Sequence, residues 1–366
     1  MADGIVASLM QVRHRKACRT TEGTPGMPNL REAYVANRAI FVYDSLDVDP
    51  EFLEQWDFEY TYAVPLKATG KARNKIGADD FVRGAKGHRA VLGASGALIT
   101  RDVMESLPDL RFVAKLGIGY DVIDVSAATD CGIVVTNTPI HREVGLVAEH
   151  AVALILACMK QFHWYNTTYV RQGGWRDSDH LVRSLEGATV GIIGFGNIGR
   201  AVAQRLVPFG AQIVTYDIRA VDPVNGVEQV ELDELLARSD VVTLHAPPNK
   251  SGELLGSSQL ELMKQGAILV NTARGALVDN NSLAKQLESG HLRGAGIDVY
   301  FPEPPSGDGP LLQAPNTFLT PHVAAWNEQV RIDMTEMALA SLAVLFDGGI
   351  SPCVVNPEVY ERGVRP

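Results

Sequence analysis

The 366-residue sequence has only 4 cysteines. Cys18, Cys131, Cys158 and Cys353 stand far apart, with no CxxC pair and no cysteine–histidine cluster at metal-ligand spacing. That argues against a disulfide scaffold and a zinc module, and it predicts reduced thiols in a cytoplasmic protein that holds no metal. Long apolar runs are missing too. The longest candidate, "AVALILAC" at 151–158, is too short to span a bilayer. No apolar core follows a basic start at the N-terminus, so no secretory signal is expected. Positive charge is in deficit: 33 Lys and Arg against 43 Asp and Glu give a net charge of −10. This balance argues against a nucleic-acid partner or an anionic membrane surface. Core-building material is ample, because 46% of the residues are hydrophobic and the chain is long enough for two domains.

Residues 1–38 show no sustained periodicity and read as a flexible, solvated extension around the basic run "RHRKACR". From residue 39 the pattern changes. "AIFVYD" (39–44), "ALIT" (97–100), "RFVAKLG" (111–117) and "IVVTNT" (133–138) are short apolar runs separated by helix-like stretches such as "TRDVMESLP" (100–108). That alternation predicts a parallel sheet covered on both faces. The Gly-, Lys- and Arg-rich stretch at 67–89 reads as a surface excursion. The stretch 146–172 predicts one long helix, buried through its first half and ended by Gly173 and Gly174. Six more strand-like runs follow, at 189–194, 212–217, 241–246, 267–273, 294–300 and 317–322. Six parallel strands in succession suit a dinucleotide-binding domain. An amphipathic helix at 325–346 is expected to return to the first half.

"TVGIIGFGNIGRAVAQRLVPFGAQIVTYD" (189–217) carries the first chemical signal. A lone GxGxxG is weak, but here a strand precedes it and a helix follows. Gly194 permits the tight turn. Gly196 offers no side chain to block a pyrophosphate from the helix N-terminus, and Gly199 lets helix and strand pack closely. Asp217 stands 18 residues beyond Gly199, at the end of the second strand. There a carboxylate accepts bonds from both ribose hydroxyls and repels a 2′-phosphate, so NAD is expected over NADP. Arg219, two residues on, softens that rejection. A flavin dinucleotide is the alternative ligand for such a turn.

Three later stretches name the reaction. "NTARGALVD" (271–279) places Arg274 past a strand end, "GIDVYFPEPP" (296–305) places Asp298 and Glu303 past the next, and "TPHVAAW" (320–326) places His322 past the last. In a doubly wound sheet these ends line one crevice. Nicotinamide chemistry is hydride transfer, and reduction of a ketone also needs a proton donor that works near neutral pH. A carboxylate behind a histidine orients it and favours its cation. An arginine fork matches a substrate carboxylate and polarises the adjacent carbonyl. The set Arg274, Glu303 and His322 therefore fits interconversion of a 2-oxo acid and a 2-hydroxy acid. Asp298 reads as a contact to the nicotinamide ribose or amide, or else as a structural strand-end acid.

These stretches, with "KLGIGYDVIDV" (115–125), "TNTP" (136–139), "VAEHAVALIL" (147–156) and "VTLHAP" (242–247), resemble the D-isomer-specific 2-hydroxyacid dehydrogenases from about residue 39 to 355. The resemblance implies an α/β fold of two doubly wound domains: a flavodoxin-like substrate domain split over 39–142 and 325–360, and an inserted Rossmann NAD domain at 143–324. It implies a homodimer built largely through the inserted domain and the helix at 146–172. The implied catalytic residues are Arg274, Glu303 and His322. The implied NAD contacts are Gly194, Phe195, Gly196, Asn197, Ile198, Gly199, Asp217, His245, Ala246, Thr272, Ala273 and Asp298. The implied substrate contacts are Lys115, Gly117, Ile118 and Gly119, with Arg274 and His322. Lys115 sits where phosphoglycerate-type members often have arginine, so an acidic substituent on the substrate stays open. Glu303 is an acid where the related formate dehydrogenases have glutamine, so formate is not expected. "HVAAWNEQ" (322–329) also resembles the carboxy-terminal-binding corepressors, which leaves an NAD-sensing interaction protein as the alternative function.

Overall fold

The computed structural model describes residues 38–363 apart from 45–47, 49–52, 54, 64–75, 95, 223, 225 and 249–251. The extension before Arg38 and the first part of the 67–89 stretch lie outside the described residues. The chain divides into two units, one made of the residues up to His141 and from Asn327 onward, the other of Arg142–Trp326.

The first unit is built on five parallel strands: β1 (Ala39–Val42), β2 (Glu59–Tyr62), β3 (Ala90–Gly93), β4 (Phe112–Lys115) and β5 (Val134–Thr136). Their order, β2-β1-β3-β4-β5, is the flavodoxin-like arrangement. β3, β4 and β5 are buried along their whole length, as expected for a sheet covered on both faces. Two details differ from the sequence expectation. "ALIT" forms no strand; Ile99 makes only an isolated bridge to Ile123, and "AVLG" just before it is the strand. The stretch read as a surface excursion contains a helix, Ala78–Ala85, whose Phe81 and Ala85 are fully buried. Gly84 lets this helix close on the sheet, because a Cβ there would lie 2.3 Å from the Phe41 ring.

The helix Glu328–Phe346 belongs to this unit and packs on β4, with the Phe112 and Phe346 rings 5.1 Å apart. It is not the one-faced helix expected. Every residue from Met334 to Ala343 is buried, so that stretch of the helix is enclosed on all sides.

The second unit carries seven parallel strands: β6 (Thr189–Ile193), β7 (Gln212–Tyr216), β8 (Val227–Gln229), β9 (Val241–Leu244), β10 (Ala267–Asn271), β11 (Leu292–Ile297) and β12 (Thr317–Leu319). Their order is β12-β11-β10-β9-β6-β7-β8. Counted from β6, that is the Rossmann order with one strand added at the far edge, and the chain reverses between β6 and β9. β8 escaped sequence reading because it is a three-residue edge strand with no buried residue. The expected helix at 146–172 is two helices, His141–Met159 and Thr167–Arg171. Gln161 turns left-handed after the first, with φ 54°. Asn166 caps the second through bonds to the Thr168 and Tyr169 amides at 2.9 and 3.1 Å. The long helix lies close on the sheet: a Cβ on Gly296 of β11 would meet Leu154 at 2.9 Å. Among the described residues no helix is long and apolar enough to cross a membrane.

Candidate active site

The glycine turn between β6 and the helix Asn197–Leu206 is dictated by backbone contact. Gly194 has φ 88°, and a Cβ on it would stand 2.7 Å from the Ala246 amide nitrogen. A Cβ on Gly199 would stand 2.2 Å from the Gly194 carbonyl. Neither position accepts a side chain without moving backbone. Gly196 is the contrary case: it caps the helix with no side-chain bond, and a Cβ on it would meet nothing within 4 Å. Phe195 is buried under the Arg200 guanidinium, 4.9 Å from the ring centre, while Asn197 is exposed and Ile198 half-buried.

Asp217 follows β7. Its carboxylate accepts from the Phe195 amide at 2.8 Å and from the Arg219 amide at 3.1 Å. The acid is thereby tied to the glycine turn that the sequence could only place nearby. His245 and Ala246 follow β9, against Gly194. Burial pushes the His245 imidazole down to about 3, so the ring is neutral. Nε2 lies 3.0 Å from the Thr243 hydroxyl, whereas Nδ1 is buried without a partner among the described residues. Thr272 Oγ1 is a second such orphan. Thr272 and Ala273 themselves are buried just past β10. An open, uncapped helix N-terminus, a half-exposed acid beside it and two buried polar atoms that still need partners fit a dinucleotide.

Arg274 stands at the same edge. The Asn271 side chain shapes its turn by donating to the Arg274 carbonyl at 2.8 Å and accepting from the Ala273 amide at 3.0 Å. Gly275 lets the turn press on the next loop, since a Cβ there would lie 2.1 Å from the Tyr300 carbonyl carbon. That loop carries Glu303. Its Oε1 accepts from the Tyr300 amide at 2.9 Å, and its Oε2 lies 2.8 Å from His322 Nδ1. Burial pushes the Glu303 carboxyl up. The His322 bond and charge, the Tyr300 amide and Arg274 outweigh that and hold it below its ordinary value. His322 is a left-handed non-glycine residue, with φ 53° and a side chain 42% exposed. Asp298 is fully buried. Its two oxygens accept from the Thr320 hydroxyl at 2.6 Å, the Val323 amide at 2.9 Å and the Ala324 amide at 3.0 Å. It grips the chain on both sides of His322.

The structure thus brings His322 and Glu303 into direct contact, with Arg274 close enough to act on the same carboxyl. Lys115, Gly117, Ile118 and Gly119 lie in the first unit, at the end of β4. Gly117 is left-handed, with φ 104°; its amide donates to the Thr138 hydroxyl at 2.7 Å, and the Asn137 side chain donates to the Ile118 carbonyl at 2.8 Å. Lys115 is buried and donates to the Leu116 carbonyl at 2.5 Å. Asn271, Tyr300 and Thr320 were not singled out from the sequence. The available signal was position, since each neighbours a strand end already marked by a chemical residue.

Comparison with known proteins bears on the family, the fold and the cofactor. The family model described as "D-isomer specific 2-hydroxyacid dehydrogenase, NAD binding domain" matches residues 152–324. A glyoxylate reductase of Korarchaeum cryptofilum is 43% identical over 277 residues, 73% of this chain and 82% of the relative. A D-3-phosphoglycerate dehydrogenase of Mycobacterium bovis is 37% identical over 73% of this chain, but only 51% of the relative is covered. The crystal structure of a glyoxylate reductase from Paecilomyes thermophila superposes with a TM-score of 0.76 at 30% identity, covering 88% of this chain and 98% of that one. The chain belongs to the D-isomer specific 2-hydroxyacid dehydrogenase family. Its cofactor is NAD, and its class of activity is NAD-dependent 2-hydroxyacid dehydrogenation.

Proposed function

We propose that the protein reduces a small, unphosphorylated 2-oxo acid, glyoxylate foremost, to a 2-hydroxy acid of D configuration where the product is chiral. The 2.8 Å contact between His322 Nδ1 and Glu303 Oε2 carries the reading. It commits one ring nitrogen to the protein and leaves Nε2 for the substrate. Bound NAD supplies the hydride chemistry. In reduction, His322 Nε2 gives its proton to the carbonyl oxygen as that oxygen gains charge; in oxidation the same nitrogen takes the proton back. Glu303 holds the ring and stabilises the imidazolium. Arg274 binds the substrate carboxylate through its fork and polarises the neighbouring carbonyl. Asp217 accepts from the adenosine ribose and disfavours a 2′-phosphate. Glyoxylate is favoured over phosphoglycerate because, over the same share of this chain, the glyoxylate reductase relative is 43% identical and the phosphoglycerate dehydrogenase 37%. We further assign a homodimer, on the strength of the exposed apolar side chains Phe162, Val170 and Trp175 that follow the long helix.

The test is NADH oxidation against glyoxylate, hydroxypyruvate, pyruvate, a branched and a phosphorylated 2-oxo acid, with NADPH alongside. Turnover highest with glyoxylate and NADH supports the reading. Tight NADH binding with no turnover of any acid would turn the assignment toward an interaction protein.

A further inference from the structure

Thr320 has no role in the chemistry just described, yet four groups converge on it. Its hydroxyl donates to Asp298 Oδ1 at 2.6 Å. The same oxygen lies 3.0 Å from His150 Nε2, on the helix His141–Met159. Its carbonyl accepts from the Tyr300 hydroxyl at 3.0 Å and from the His322 amide at 3.1 Å. A hydroxyl has one proton to give. With that proton on Asp298, the lone pair faces His150, so Nε2 of that ring must carry a hydrogen. Asp298, filled by Thr320 on one side and by the Val323 and Ala324 amides on the other, encloses the left-handed backbone of His322. Tyr300 holds Glu303 directly, through its amide on Oε1, and reaches His322 only through Thr320, whose carbonyl accepts from the Tyr300 hydroxyl. Burial, with Asp298 and Glu303 nearby, pushes the Tyr300 phenol up to about 12, so it stays a donor.

We propose that Thr320 is the positioning residue of the His322–Glu303 pair, with His150 and Tyr300 fixing its hydroxyl and carbonyl. A left-handed non-glycine backbone is strained and persists only where its surroundings over-determine it. Here the surroundings centre on the Thr320 hydroxyl and the Asp298 carboxylate, and His150, from a helix over a hundred residues earlier in the chain, stands 3.0 Å from the one and 3.5 Å from the other. The network does not touch the glycine turn, and the Asp298 oxygens stay occupied by the Val323 and Ala324 amides when the Thr320 hydroxyl is lost, so that loss affects proton transfer before it affects NADH binding. This inference rests on the assignment of His322 and Glu303 as the proton-transfer pair.

The experiment compares Thr320→Val, which keeps the shape and loses the hydroxyl, with Thr320→Ser, which keeps the hydroxyl. Displacing a reacting group by about 1 Å can cost about 100-fold, so Thr320→Val should lose 10- to 100-fold or so in kcat. Its dissociation constant for NADH should stay within about twofold of wild type. Thr320→Ser should recover most of kcat. In a Glu303→Gln background the valine substitution should cost only about threefold, because residues that act through one another are not additive. Full kcat in Thr320→Val overturns the proposal, as does a loss of NADH affinity parallel to the loss of kcat. A wild type inactive on every 2-oxo acid tested defeats the catalytic assignment instead. Nitrogen-edited NMR of the histidine rings then still decides on Thr320. Movement of the His322 and His150 signals in Thr320→Val supports the positioning role, and an unmoved His322 signal refutes it.

Discussion

The two units follow one rule, a parallel sheet buried on both faces, yet they present their strand ends differently. In Arg142–Trp326 the loops after β10, β11 and β12 carry ionisable side chains on a backbone that buried residues fix: Asn271 holds the Arg274 carbonyl, Asp298 holds the residues flanking His322, and the Tyr300 amide holds the Glu303 carboxylate itself. In the other unit the loop after β4 is backbone held by side chains, with Thr138 and Asn137 pinning Gly117 and Ile118. The first arrangement suits chemistry, because proton transfer and charge stabilisation need specific side chains at fixed positions. The second suits recognition, because amides in a glycine-permitted turn can donate to an anion without adding charge.

Substitutions can break this contrast. The largest effect is expected at His322. General acid–base catalysis contributes roughly 100- to 10,000-fold, so His322→Ala should lose about that much kcat/KM in both directions. NADH affinity, measured by fluorescence, should hold; an active alanine variant removes the proton-donor role. Next comes Arg274→Ala. A bond to a charged group contributes about 1.5–3 kcal/mol, so kcat/KM should fall at least roughly tenfold. Arg274→Lys should also lose activity, since a point charge cannot replace a two-pronged contact, and wild-type kinetics in that variant would exclude a bidentate role.

Glu303→Gln should act through pH. Glu303 is held below its ordinary value, so it is anionic through the neutral range. Replacing it removes the charge that favours a protonated His322. The fall of reduction kcat/KM with rising pH should therefore move to lower pH, with activity at acid pH partly kept. Stability follows the same group. A depressed carboxyl contributes stability above its unfolded value of about 4.3 and loses it as pH falls through the folded value. The Tm advantage of wild type over Glu303→Gln should thus be present at neutral pH and vanish in acid. A profile unmoved by the substitution breaks the paired role. The smallest effect belongs to the other unit. Gly117→Ala forces a side chain into φ 104°, a strain of about 1–3 kcal/mol. Tm should fall, and KM for the oxo acid should rise while kcat changes little. An unchanged KM would mean that this loop does not hold the substrate.

Legibility followed the same contrast. The six strand runs of the second unit, the glycine turn, Asp217, Arg274, Glu303 and His322 were all visible in sequence, because residue type there is dictated by chemistry or by backbone approach. In the first unit the sequence misplaced β3, passed over the exposed β2 and took the helix Ala78–Ala85 for a surface loop. That helix buries only Phe81 and Ala85 and sits inside a Gly-, Lys- and Arg-rich stretch, whose composition reads as loop. The enclosure of Glu328–Phe346 was invisible for another reason: being buried on every side depends on partners brought from β4 and elsewhere, not on spacing.

By itself the sequence determined the class of fold, the nucleotide turn and the candidates Arg274, Glu303 and His322. Local constraints set these, since only glycine fits at Gly194 and Gly199, and a histidine with a carboxylate nearby suits proton transfer near neutral pH. Tertiary structure alone decided the contact distances and the groups that stand behind the pair. Glu303 and His322 are 19 positions apart and touch at 2.8 Å, and His150 reaches Thr320 across 170 positions. Hydrogen bonding depends on distances of tenths of an ångström, and no local pattern encodes a distance between segments that only the packed sheet brings together.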